Sequence, residues 1–193
     1  MRLFDIQWDI QTAGPSPNEN RRVEIYLAGC NRAISGNPCK GCFNTLLWNP
    51  IRGKITSPKE ITDWLDYFPE KSRYVSICGG EPLDQFDELA ELCRLLKKRK
   101  NRHILLYTHY LYEDVIAMDQ KHELLPYIDI MIDGEYDETQ RIYREQYPDG
   151  FYGTIGSGNQ RIIDIQQNIK MAANDLTGLV VTEDNRLQMI RKK

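Results

Sequence analysis

The chain has 193 residues, a formal net charge of −3, and 41% hydrophobic and 27% charged residues, enough for one ordinary domain with a buried core and without general attraction for polyphosphate, so no nucleic acid partner is expected. No run approaches the about 20 apolar residues that cross a bilayer, and the acidic start Met1 to Asp9 does not read as a secretory signal, so a cytoplasmic protein with no membrane partner is expected. Five cysteines at irregular spacing do not suit a secreted disulfide framework, and clustered thiols in a reducing compartment bind metal or react.

Leu3, Phe4, Ile6, Trp8 and Ile10 form an apolar patch ahead of the turn-rich Gly14-Pro15-Ser16-Pro17-Asn18, so residues 1–21 read as a lead-in strand and a loop. Val23 to Ala28 alternates, is rich in strand formers, and delivers Gly29 and Cys30 at its carboxyl end. Cys30, Cys39 and Cys42 then fall within thirteen residues. Ser57-Pro58-Lys59-Glu60 is a capping box with proline at the first helical position, and Ile61, Trp64, Leu65 and Phe68 share one helical face before Pro69. Tyr74 to Cys78 is a short strand running into Gly79-Gly80-Glu81-Pro82.

From Asp84, the spacing of Phe86, Leu89, Leu92, Cys93 and Leu96 predicts a second amphipathic helix. Cys93 lies inside it as a buried structural thiol, and Lys97 to Lys100 complement the negative end of its dipole. His103 to Thr108 reads as a third strand, Leu111 to Leu125 as a less regular helical segment ended by Pro126, and Ile128 to Asp133 as a fourth strand. Residues 134–160 are polar, glycine-rich and without clear period, a long loop of the kind that carries function. Arg161 to Ile165 resumes a strand pattern, Gln166 to Ala173 suits a short helix, and residues 175–193 a terminal hairpin or tail. Strands alternating with helices imply an α/β fold with a parallel core. Its ligands belong at the carboxyl ends of the strands, where the cysteine loop, the Gly79–Pro82 turn, Thr108 and Asp133 converge.

Three clustered cysteines have two chemical readings. A [4Fe–4S] cluster held by Cys30, Cys39 and Cys42 keeps one iron open for a small chelating ligand, whereas a structural zinc needs a fourth ligand such as Cys78 or a histidine. Gly79 to Pro82 is either a plain turn into the next helix or a site where a ligand approaches the backbone closely, with Glu81 orienting the turn or meeting an ammonium group. Asp129 and Asp133 either line the interior or, for Asp133, begin the turn at Gly134.

Gly29-Cys30 through Cys42-Phe43-Asn44, Trp48, and Cys78-Gly-Gly-Glu-Pro-Leu83 together resemble the radical S-adenosylmethionine enzymes. Tyr107-Thr-His-Tyr110 with Glu113, Ile130 to Tyr136, and Gly156-Ser-Gly-Asn-Gln-Arg-Ile-Ile-Asp164 are similar to the activating proteins of anaerobic ribonucleotide reductase. The resemblance implies a single domain over 1–193, an incomplete β/α barrel with cluster and ligand at the C-terminal strand edge. It implies a [4Fe–4S] cluster on Cys30, Cys39 and Cys42, and S-adenosylmethionine bound through Gly79, Gly80, Glu81 and Pro82 at its methionyl end. Cys42 and its neighbours Gly41 and Phe43, with Thr108, are candidates for contacts to the bound cofactor, although Phe43 equally suits a core aromatic.

The implied reaction is reductive cleavage to a 5′-deoxyadenosyl radical, which makes a glycyl radical on the large subunit of the reductase. Two cysteines outside the set are too few for a second all-cysteine cluster, so by resemblance a flavodoxin or ferredoxin-type donor supplies the electron. Two features depart from the family. Eight residues separate Cys30 from Cys39, more than is usual; the added closure entropy is only ~0.6 kcal/mol per doubling of loop length. Cys78 stands where serine is common, as a spare ligand or a small buried side chain. Two other functions fit part of the pattern. One is a radical enzyme acting on a small molecule, such as a 7-carboxy-7-deazaguanine synthase, and the other is a non-catalytic zinc-binding module.

Overall fold

The computed structural model describes residues 1–10, 21–142 and 155–166. Its elements run β1 (Arg2–Ile10), β2 (Arg22–Leu27), α1 (Asn31–Ile34), β3 (Lys54–Ile55), α2 (Pro58–Asp66), β4 (Tyr74–Gly79), α3 (Phe86–Lys100), β5 (His103–Tyr107), α4 (Tyr112–Ala117), α5 (Lys121–Leu124), β6 (Ile130–Asp133) and β7 (Arg161–Asp164). The expected break at 14–18, the centre of the long loop at 143–154, the helix beyond Gln166 and the terminal hairpin lie outside the described residues.

Alternation sets the sheet. Val23, Ile25 and Leu27 of β2 point to the same side as Val75 and Ile77 of β4, Ile104 and Leu106 of β5, and Met131 of β6, and pack there against Leu65 of α2 and Leu89, Leu92 and Leu96 of α3. β2, β4, β5 and β6 pair in parallel, each joined to the next through helical crossovers. The described strands form one open mixed sheet in the order β3-β1-β2-β4-β5-β6-β7. The parallel core is as expected. Antiparallel strands flank it on both sides: β1 runs against β2 and β3, and β7 against β6.

The lead-in is therefore an integral nine-residue strand, its register set by Leu3 opposite Leu27 and Ile6 opposite Ile25. α2 starts on the predicted capping box, with Ser57 Oγ accepting from the Glu60 amide and Glu60 accepting from that of Ser57. Its expected stripe is only half used. Ile61 and Leu65 are fully buried, while Trp64 is 39% and Phe68 51% exposed, with Phe68 set edge-to-face on Trp8. The helix lies along α3 through one row of side chains, and Asp63 and Asp66 beside that row bind Arg99 and Arg102.

α3 ends after the basic run, at Asn101 in the left-handed conformation, and Cys93 is fully buried within it, as expected. The segment 111–125 is divided: α4 ends at Ala117, α5 starts at Lys121, and Pro126 sits in a single 3-10 turn over Leu125–Tyr127.

Candidate metal and cofactor site

Among the described residues, no helix packs into the apolar cluster on the opposite face of the parallel strands. Leu105, Ile130, Ile132, Ile155 and Ile162 form that cluster. Beside it, at the carboxyl edge, a cavity of about 320 Å³ is walled by Cys39 and Cys42 on one side and Gly79, Gly80 and Glu81 on another, with Glu24, Tyr26, Cys78 and Tyr107 at its inner end.

The backbone of two crossing loops builds this edge. Gly29, at φ +110°, leaves β2 and donates to the Leu47 carbonyl at 2.7 Å, while the Glu81 amide donates to the Gly29 carbonyl at 2.7 Å. A Cβ on Gly80 would stand 2.1 Å from the Gly29 carbonyl oxygen, and one on Gly79, at φ +133°, 2.1 Å from that of Leu27. The two glycines are thus required first by the stacking of the β4 turn on the end of β2. Their exposed backbone then faces the cavity.

Glu81 is 1% exposed, and its carboxylate is fully employed. It accepts from the Leu83 amide at 2.9 Å, the Thr108 hydroxyl at 2.8 Å, the His109 amide at 2.9 Å and His109 Nδ1 at 2.6 Å. Of its two expected roles, orienting the turn is the one these bonds perform. Thr108, also on the cavity wall, couples that turn to the end of β5 by accepting in addition from the Tyr110 amide. Pro82 is buried and is not part of the cavity wall.

Of the three clustered thiols, Cys39 and Cys42 line the cavity, and Cys30 is buried and is not part of its wall. Burial pushes the Cys30 and Cys39 thiols up, so metal binding has to displace their protons. Among the described residues no three Cys, His, Asp or Glu side chains are drawn together as ligands of a single ion. Two thiols on the cavity wall, Cys39 and Cys42, with Cys30 buried off that wall and a turn that presents backbone to the cavity, suit a cubane, which would take each thiolate at a different iron.

The remaining expected residues divide. Phe43 is 71% exposed at the cavity rim, edge-to-face with Tyr136 at 5.1 Å, and is not a core aromatic. Gly41, at φ +69°, is outside the cavity wall, and a Cβ there would stand 2.1 Å from a carboxylate oxygen of Glu138. Cys78 lines the inner end with its thiol donating to the Ile25 carbonyl, and burial pushes that thiol well up, which suits a protonated wall residue better than a ligand.

Asp129 binds Lys97 and the Ile104 amide, away from the cavity. Asp133 is fully buried, accepts from the Tyr112 amide at 2.7 Å and pairs with Arg161. It stands in the interior at the end of β6, directly before Gly134, and from there anchors β7 and α4 to β6. The eight residues between Cys30 and Cys39 form α1 and a turn, held by the Asn31 amide on Asp84 at 2.6 Å and by Arg32 on Glu135 at 2.7 Å.

Sequence reasoning missed Glu24, Tyr26, Tyr107 and His109 as wall residues. Tyr26 donates to Glu24 at 2.5 Å. A signal was available: Glu24 and Tyr26 alternate with the apolar Val23, Ile25 and Leu27, which places them on the face of β2 away from the helices.

The sequence profile of the 4Fe-4S single cluster domain matches residues 18–163. A protein named anaerobic ribonucleoside-triphosphate reductase-activating protein in Vibrio cholerae is 30% identical over 127 residues, 62% of this chain and 76% of that relative. The chain belongs to the 4Fe-4S single cluster family, in the branch of these activating proteins. Like-named proteins of Pasteurella multocida and Haemophilus influenzae are each 27% identical, over 77% and 78% of their own lengths. The family match spans β2 to β7, so it takes in all three clustered cysteines and every wall of the cavity. No helix among the described residues is long and apolar enough to cross a membrane.

Proposed function

We propose that this chain activates an anaerobic ribonucleotide reductase by generating a glycyl radical on its large subunit, with a [4Fe–4S] cluster and S-adenosylmethionine as cofactors. When bound, the pair would supply the chemistry, reductive cleavage of the sulfonium by one electron from an external donor and so a 5′-deoxyadenosyl radical able to take a hydrogen atom from a glycine Cα of the reductase. The observation that carries this reading is the meeting, in a chain of this family, of the Cys39–Cys42 wall and the Gly79–Glu81 turn on one cavity at the strands' carboxyl edge.

On this reading Cys30, Cys39 and Cys42 hold the cluster, and the backbone of Gly79 to Glu81 receives the methionyl end of S-adenosylmethionine. Glu81 acts from within the turn, holding Thr108 and His109 in position while the turn's exposed backbone faces the ligand. Phe43, at the rim, covers the cofactor, and Cys78, Tyr26 and Tyr107 close the inner end against water. The four parallel strands are then the wall of an incomplete β/α barrel within a single domain, working in the cytoplasm and reduced by a flavodoxin or ferredoxin-type donor.

Anaerobically reconstituted protein, reduced and mixed with S-adenosylmethionine and its cognate anaerobic reductase, is expected to produce a glycyl-radical doublet in the electron paramagnetic resonance spectrum of the reductase. Cleavage of S-adenosylmethionine with no such signal would overturn the proposal in favour of a radical enzyme acting on a small molecule.

A further inference from the structure

Between Glu24 and Glu60 the chain has no acidic residue, while Arg32, Lys40, Arg52, Lys54 and Lys59 fall inside that stretch, in a protein of net charge −3. The stretch holds the three clustered cysteines and then folds into two 3-10 turns, Thr45–Leu47 and Pro50–Arg52, and the short strand β3 at the edge of the sheet. These turns pack on the end of β2. The Gly29 amide donates to the Leu47 carbonyl at 2.7 Å, the Cys30 amide to the Trp48 carbonyl at 3.0 Å, and a Cβ on Gly29 would meet that of Pro50 at 3.4 Å. The backbone of Cys30 is thus in direct contact with the segment 47–50.

The other side of these turns carries an exposed surface. Leu46, Ile51 and Ile55 are 63%, 79% and 71% exposed, and Arg52 and Lys54 stand exposed among them. Gly53 is pressed against Arg2, whose backbone carbonyl oxygen would lie 2.9 Å from a Cβ there, and Arg2 sits opposite Ile55 in the β1–β3 register, so a third exposed cation joins the group. Among the described residues Arg2, Arg52 and Lys54 make no ion pair, whereas Arg94, Arg99, Arg102 and Arg161 are each held by a carboxylate. Glu60, the first acid after the stretch, is turned onto Ser57. No residue from 45 to 55 lines the cavity of the cofactor site.

We propose that this surface, Leu46 to Ile55 with Arg2, is the docking site of an acidic one-electron carrier protein, and that the segment 47–50 behind it is the electron's way to Cys30. The inference rests on the cluster of the activase reading and adds the place where its electron enters. Cations without counter-ions steer an acidic partner to the surface and orient it there, while the exposed aliphatic side chains between them give a small apolar centre. A small contact of this kind suits a carrier that has to leave after each transfer. The step is outer-sphere: the carrier is oxidised by one electron, the cluster is reduced by one, and no bond forms or breaks. A carrier seated here leaves the cavity open.

Two variants test this: Arg52→Glu with Lys54→Glu, which reverses the charge, and Ile51→Ser, which leaves the charge alone. Reduction of the reconstituted holoprotein is followed by the bleaching of its visible absorbance, once with reduced flavodoxin and once with a small photoreduced deazaflavin. At low salt, flavodoxin is expected to reduce the double variant about tenfold more slowly than the wild type. That gap should close near 1 M salt, where charges are screened within about 3 Å. Ile51→Ser should slow flavodoxin at both salt concentrations, and deazaflavin should reduce every protein at the wild-type rate. Wild-type flavodoxin rates in the double variant would overturn the proposal, as would an equal slowing with deazaflavin. So would an effect confined to the reductase concentration for half-maximal radical formation, which gives the surface to the reductase instead. A wild-type protein that flavodoxin reduces in this salt-dependent way, but that raises no glycyl radical on its reductase, would overturn the activase reading and leave the docking site standing.

Discussion

Gly80 has no side chain because the Gly29 carbonyl occupies the place, 2.1 Å from where a Cβ would stand, with the Leu47 carbonyl 2.7 Å away. Both obstacles are backbone, so neither can swing aside. Gly80→Ala is expected to push the β4 turn off the end of β2, costing at least about 1–3 kcal/mol and moving Glu81 with it. Urea denaturation should report the lost stability, and equilibrium dialysis the weakened S-adenosylmethionine binding; wild-type values for both would contradict the packing argument. Read from sequence, Gly-Gly-Glu-Pro was open between turn and ligand site. The atoms join the two readings, since the same backbone that packs on β2 faces the cavity. Sequence could not separate them, because the clash partner lies about fifty positions away.

At the scale of elements, the Asn159-Gln160-Arg161 segment that carried the family resemblance has structural work to do. Gln160 accepts from the Gly156 and Ser157 amides and donates to the Gly134 carbonyl, and Asn159 donates to that of Glu135. Arg161 binds Asp133 and Glu113 together, tying β7 to β6 and α4. Because Asp133 is fully buried, Arg161→Gln is expected to cost about 3 kcal/mol by leaving a carboxylate without its cation.

Glu113→Gln should cost far less, and only at higher pH. The Arg161 guanidinium holds the Glu113 carboxyl below its ordinary 4.5, so its contribution is present above that pH and is lost as pH falls through the depressed folded value. Equal losses for the two variants in urea denaturation at neutral pH would contradict this ranking.

β5 carries a second titration. Burial, followed by the charge of Arg22, pushes the His103 imidazole down to about 4 from 6.5, with Asp129 opposing and Lys97 assisting. Between those values the unfolded chain binds a proton that the folded one does not, so stability should fall as pH drops from 6.5 toward 4 and then level off in this term. His103→Gln should flatten that limb; an unchanged stability–pH profile would contradict the burial of a neutral ring.

Across the whole molecule, the parts legible in sequence were those decided locally. Short runs of strand formers marked β2, β4, β5 and β6, the Ser57 box marked the start of α2, and the basic run marked the end of α3. Parts decided at long range were not legible. The pairing of β1 with both β2 and β3 depends on partners that no local pattern names, and the exposure of Trp64 and Phe68 depends on where α3 lies. At the site, the cysteine loop and the glycine turn were identified from sequence as neighbours. Their common cavity and its inner wall of Glu24, Tyr26 and Tyr107 needed the sheet's second face.

On the proposed reading, three thiols hold a cubane with one iron open to S-adenosylmethionine. Mössbauer spectroscopy of anaerobically reconstituted, iron-57-labelled protein tests it most directly. The expected result is a [4Fe–4S] signal in which one iron separates from the rest on addition of S-adenosylmethionine, lost in Cys39→Ala and retained in Cys93→Ala. A colourless protein with stoichiometric zinc, or a cluster whose irons are unaffected by S-adenosylmethionine, would contradict it.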